Sequence, residues 1–152
     1  MIKRNQMKKV IFLLIVIFTV LQSSAQTSYV STYNQTGEYS TIFEKWNWSD
    51  LNRSVIPIKI TKSFIEFENQ AKSKFTIIED KGEDVGQNSA GLRYKGHNWI
   101  AIDHKYRKCY VLMTHYFDDD YDNVLTIMYE DLAFRYYIPK KRNGIDSFNN
   151  DK

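Results

Sequence analysis

The sequence predicts an all-β domain, an antiparallel roll, sandwich or small barrel of about seven or eight strands after a cleaved signal peptide. Three observations predict it. Period-two alternation of β-branched and aromatic residues recurs along the chain. No stretch keeps a helical stripe for three turns. The hairpins near the C-terminal end carry apolar residues on both faces of the strand. Such a sheet must be covered twice, or must curl so that one face lines an interior. A cup-like ligand-carrier ring is one form of the second solution.

The N-terminal segment reads as an export signal. Met1–Lys9 holds Lys3, Arg4, Lys8 and Lys9 and no acid; Val10–Leu21 is a twelve-residue apolar run; Ser23 and Ala25 are small. That order is a secretory signal peptide, with cleavage expected after Ala25. A spanning helix needs about 20 apolar residues, so no stable membrane anchor is expected after cleavage. No cysteine follows the cleavage site to take a lipid. The expected location is therefore exported, periplasmic or extracellular. Of 21 basic and 18 acidic residues, four basic ones and no acids fall in residues 1–25, leaving 17 and 18 and a formal net charge of −1. No electrostatic footprint for nucleic acid remains.

The expected organisation is a signal peptide over 1–25, a polar leader over 26–40 with an edge strand near Ser28–Tyr33, one β domain over 41–139, and a polar tail over 140–152. Cys109 is the single cysteine, so no intramolecular disulfide staples the fold. It lies in an apolar run and reads as a small packed hydrophobe.

Each element follows from its pattern. Glu44–Asn52, with Trp46 and Trp48, is the best helix candidate, though a short one. Ile56, Ile58 and Ile60 alternate, and Pro57 between them marks an edge or a bulge because it lacks an N–H. Ile65 with Phe67, and Phe75 with Ile77, continue the alternation. Asp80–Gly91 carries three glycines and reads as one long loop. Asp103–Lys108 and Asp118–Asn123 read as hairpin connections. With an even first loop, Ile102 stands opposite Cys109 and Ile100 opposite Val111. A symmetric second loop sets Met113 opposite Met128. This register puts Ile100, Ile102, Cys109, Val111, Met113, Phe117, Val124 and Met128 on a core face. Trp99, Ala101, Tyr110, Leu112, Tyr116, Leu125, Ile127 and Tyr129 then share the other. Leu132–Ile138 is a final strand with Phe134 and Tyr136 on one side, Arg135 and Tyr137 on the other.

The candidate binding residues are aromatic: Trp46, Trp48, Trp99, Tyr110, Tyr116 and Tyr129. Their rings stack on sugars and flat ligands, and tyrosine adds an orienting hydroxyl. Aromatics also fill β cores, which is the commoner use. Asp118, Asp120 and Asp122 alternate as calcium carboxylates do. The EF-hand pattern fails, with Asn123 in place of its glycine and Tyr129 in place of its glutamate, and aspartates also favour plain turns. His104 and His115 lie far apart on one face, with His97 on the other, so no zinc centre is expected. Cys109 and His115 are six residues apart in one strand, about 20 Å, too far for a nucleophilic pair. No phosphate-cradling loop or nucleophile elbow occurs, and no cofactor is expected.

The sequence thus reads as an exported, non-enzymatic binding module presenting Trp and Tyr to a small molecule, glycan or protein partner. The alternatives are an interaction or inhibitor domain using a sheet edge, and, less favoured, a small secreted hydrolase with converging histidines and carboxylates.

Overall fold

The computed structural model describes residues 26–68 and 73–140. The expected signal peptide and residues 141–152 of the expected tail lie outside them. The described chain is all strand and turn: β1 (Thr27–Ser40), β2 (Lys45–Trp48), β3 (Asn52–Ile60), β4 (Phe64–Phe67), β5 (Lys74–Gln87), β6 (Arg93–Ile102), β7 (Lys108–Tyr116), β8 (Asn123–Met128) and β9 (Leu132–Ile138). They form one antiparallel nine-stranded sheet that curves into a ring, closed where β1 pairs with β9. One end, the mouth, carries the start of β1 and the β3–β4, β5–β6 and β7–β8 connections. The other carries the β6–β7 and β8–β9 turns.

The interior is filled from alternate positions. Ile56, Ile58 and Ile60 of β3 face Ile65 and Phe67 of β4, and across the ring they meet Val111, Met113, Leu125, Ile127, Tyr136 and Ile138. Phe67 anchors the layer, its ring 4.6 Å from Tyr136 and 5.9 Å from Phe75. Each such fully buried apolar side chain contributes about 1.5–3 kcal/mol.

Four expectations are corrected. Residues 26–40, expected as a polar leader with an edge strand only near Ser28–Tyr33, form a strand throughout Thr27–Ser40, an interior one that closes the ring. It is held by ladders on both edges, with Ser31 and Gly37 as its buried residues. No helix forms near Glu44–Asn52, where β2 instead extends the β1 hairpin. Asp80–Gly91 is mostly strand: β5 runs to Gln87, and Gly82 at φ +81° absorbs an irregularity in its pairing with β6. Pro57 marks no edge strand, since β3 lies between β1 and β4. The Pro57 carbonyl accepts the Glu68 N–H at 3.0 Å, just past the last β4 pair, Ile58 with Phe67. A residue's N–H and C=O point to the same edge, so its missing donor falls where that ladder ends.

The predicted register of the C-terminal hairpins is also wrong. Ala101, not Ile102, stands opposite Cys109, and Trp99, not Ile100, opposite Val111. The loop is odd, not even. Asp103 N–H bonds the Arg107 carbonyl at 3.0 Å, and Tyr106 sits in the left-handed region at φ +61°, a three-residue loop ending in a bulge. In the second hairpin β7 outruns β8, and Met113 faces Leu125 rather than Met128. Both shifts are odd, so they change faces. Trp99, Ala101, Leu125 and Ile127 point inward with Cys109, Val111 and Met113. Ile100, Ile102, Val124 and Met128 point outward with Tyr110, Leu112 and Tyr116. The last strand, Leu132–Ile138, is as expected, with Phe134 and Tyr136 inward.

Asp103 holds the odd turn together. Its carboxylate accepts the Lys105 and Arg107 backbone N–H groups at 2.8 and 2.9 Å, the Arg107 Nε at 2.8 Å and the Tyr129 hydroxyl at 3.0 Å. Burial raises its pKa, but these bonds outweigh it and bring it down from 3.8 to about 2. The bonds therefore stabilise the fold fully above pH 3.8, and that contribution is lost as pH falls from 3.8 through about 2. Asp103→Ala should cost about 3 kcal/mol by urea titration. In Asp103→Asn the loss of stability over that acid range should flatten; an unchanged acid limb would remove Asp103 from the account.

Candidate functional site

The six aromatic candidates do not gather on one face. Trp46 and Trp48 project outward from β2 with their rings 6.0 Å apart, and the Arg135 guanidinium lies 3.6 Å over Trp48. Gly37 makes room for this stack: a Cβ there would sit 2.9 Å from the Trp48 ring. Tyr110 faces outward and donates its hydroxyl to Asn98 at 2.7 Å. Tyr116 faces outward near the mouth beside Tyr94 and Tyr121. Tyr129 serves the Asp103 turn at the opposite end. Trp99 points inward and is 7% exposed.

The acidic loop behaves as a turn. Asp118 accepts the Asp120 N–H at 2.9 Å, and the Lys140 ammonium bonds the Tyr116 and Asp118 carbonyls at 2.5 and 2.6 Å. Among the described residues no group of three His, Cys, Asp or Glu is placed to hold a metal ion. Cys109 is buried, and burial pushes its thiol up to about 12, so it stays protonated at neutral pH.

What the linear sequence did not bring together is a cup at the mouth of the ring. Inward-facing positions on β6 run Ala101, Trp99, His97, Lys95 toward the mouth, and on β7 Cys109, Val111, Met113, His115. The interior thus changes from apolar to charged within one layer. The result is an open cavity of about 320 Å³, with Trp99, Met113 and Ile60 as its floor, Tyr29, His97 and His115 as its wall, and Asp80, Glu83, Lys95 and Lys62 at its rim. His97 and His115, expected on opposite faces, line the same cavity because of the register shift. His104 stands exposed on the far turn.

The polar layer is wired. His97 stacks on Trp99, centroids 4.1 Å apart and planes 15° from parallel. Its Nε2 lies 2.8 Å from Asp80 Oδ1 and its Nδ1 3.8 Å from Glu83 Oε1, while Glu83 Oε2 takes the Lys95 ammonium at 2.7 Å. Burial raises the Asp80 carboxyl, but the Gly82 N–H and His97 outweigh it and hold it below its usual value. His115, half-buried against Tyr29, is lowered by desolvation, with the Asn123 side chain acting the other way. It is therefore a neutral imidazole at pH 7. Lys62 forms no ion pair among the described residues. The cup so offers an aromatic floor, a neutral imidazole and one uncommitted cation.

Comparison of the chain with protein-family models, with curated proteins and with solved structures gave no match.

Proposed function

We propose that the protein is an exported, non-enzymatic binding module that takes a small polar ligand into the cup above Trp99. The observation that carries this reading is the abrupt change of the ring interior from packed apolar core to a charged, unfilled layer. A purely structural ring of eight strands fills its interior with side chains, whereas a binding one keeps the mouth open. The cavity volume lies at the small end of ligand clefts, which favours a metabolite over a peptide. Lys62 selects an organic anion, whose apolar part lies against Tyr29 and the stacked His97–Trp99 pair while Asp80 and Glu83 reject a second negative charge.

A thermal-shift panel of amino acids and hydroxy acids, with doubly charged sugar phosphates as the ligands expected to be rejected, tests this. A ligand at a hundred times its Kd stabilises by about 2.7 kcal/mol, which raises Tm by several degrees for a domain this size. The shift should vanish in Lys62→Gln, a surface change that leaves the free protein's Tm in place. No shift across the panel, or one indifferent to Lys62, rejects the reading.

The hydrolytic alternative has one observation in its favour, the Asp80–His97 pair. Among the described residues the cup lining carries the hydroxyls of Thr27 and Thr61, Thr61 being engaged with the Phe64 backbone, so the pair would activate either Thr27 or water. Ester turnover abolished by His97→Ala would favour it.

A further inference from the structure

The outer face of a closed ring meets solvent, and its polar side chains are normally exposed. On β7 and β8 they are not: Thr114 and Thr126 are 7% and 8% exposed, although both project away from the interior. The reason is a groove of about 650 Å³ whose floor they form. The β5–β6 and β7–β8 connections rise above it at the mouth. Tyr116 stands at that end, its ring 6.3 Å from Tyr94 and 6.0 Å from Tyr121. Arg135, its guanidinium 3.6 Å from the Trp48 ring centroid, borders the groove on the β9 side.

Neither threonine hydroxyl makes a hydrogen bond to any described residue. A buried polar group without a partner is destabilising, and native structures rarely leave one. Nor are these oxygens sealed in: the fully enclosed, unpartnered side-chain polar atom among the described residues is Asn123 Oδ1. The two hydroxyls are therefore open to the groove and to what enters it. Their spacing is set by the register. Thr114 pairs with Val124 and Thr126 with Leu112, so the threonines are diagonal neighbours, with backbones about 7–8 Å apart. Arg135 stands directly opposite Thr126. It makes no ion pair among the described residues. Thr114, Thr126 and Arg135 form an oblique polar row across three strands, with Tyr116 at one end and Trp48 beside the other.

We propose that this groove is a second binding site, independent of the cup, and that its ligand is a neutral oligosaccharide. A sugar ring has an apolar C–H face that rests on the groove's tyrosines, Tyr116, Tyr121 and Tyr94, and hydroxyls that both donate and accept. Threonine hydroxyls do both as well, a guanidinium donates in its plane, and Asp120 and Asp122 at the rim accept. Leu112, Val124 and Met128 lie beside the threonines and supply further surface for the C–H face of a sugar, while the aspartates disfavour a phosphate backbone.

The test is isothermal titration of the protein against a panel of neutral oligosaccharides, with three variants. Tyr116→Ala and Arg135→Gln should each weaken binding at least tenfold, while Lys62→Gln at the cup leaves it unchanged. Thr126→Val gives the more telling result. It removes a hydroxyl that has no protein partner, so the free protein should melt at the same or a higher temperature while sugar affinity falls. A lower Tm for Thr126→Val would mean that the hydroxyl serves the fold, and would overturn the proposal. So would the absence of binding across the panel, or binding indifferent to Tyr116 and Arg135. Binding lost in Lys62→Gln would assign the sugar to the cup instead.

Discussion

Val111→Asp should abolish the fold. Val111 is wholly inaccessible and sits mid-strand in β7, with Trp99 opposite it on β6 and Ile127 opposite it on β8. An aspartate there places a carboxyl among apolar side chains with no donor in reach. Charged or protonated, it carries a desolvation cost, and buried unpaired groups are among the few single changes that exceed about 4 kcal/mol. Domains of this size are stable by only about 5–15 kcal/mol. Near-UV circular dichroism should lose its tertiary signal at 25 °C. A paired experiment tests the register itself. Ala101→Asp should be comparably severe, because Ala101 faces inward and is inaccessible. Ile100→Asp, one residue away on the outer face, should fold. The opposite ranking would restore the even hairpin loop and reverse both faces.

Trp99→Ala should cost about 3–5 kcal/mol, the range for truncating a core aromatic. Trp99 is at once core and cup floor: its indole packs against the apolar layer, while His97 stacks on its other side. Removing it opens a cavity below the ligand and releases the imidazole above. Alanine at this position therefore measures the fold more than the site. Trp99→Phe keeps an aromatic floor and should retain most of the stability, with a smaller surface for ligand. Chemical denaturation of the two variants separates the contributions. A loss below about 1 kcal/mol for Trp99→Ala would mean that the ring does not pack there.

The strands were legible in the sequence wherever burial is one-sided. Ile56, Ile58 and Ile60 alternate because one face meets the core, and Leu132–Ile138 is read to the residue for the same reason. The closing strand was legible only in part, near Ser28–Tyr33, and its interior position was not. Ser31 and Gly37 are its buried residues, and it is held by backbone ladders on both edges, which leave no apolar trace. The hairpin parity was not legible either, because it turns on Tyr106 adopting a positive φ, where the sequence shows no glycine or asparagine. One residue of parity then moved Trp99 inward and brought His97 and His115 together. The cup joins positions from five strands and one turn, Tyr29 to His115, and no spacing rule reaches across that distance. The groove left no trace. Thr114 and Thr126 gave no signal in the sequence, because only the register puts them side by side on the outer face.

Ligand entry into the cup can be read directly at Trp99. The chain has three tryptophans, so Trp46→Phe with Trp48→Phe leaves Trp99 as the sole indole. Its emission should be blue-shifted in the free protein, as befits a buried ring. It should change saturably when the organic anion that raises Tm is titrated, at the concentrations that raise Tm, with no response in the Lys62→Gln background. Trp99 emission that stays constant while that anion still stabilises the protein would place the ligand elsewhere, and would contradict the cup as the binding site.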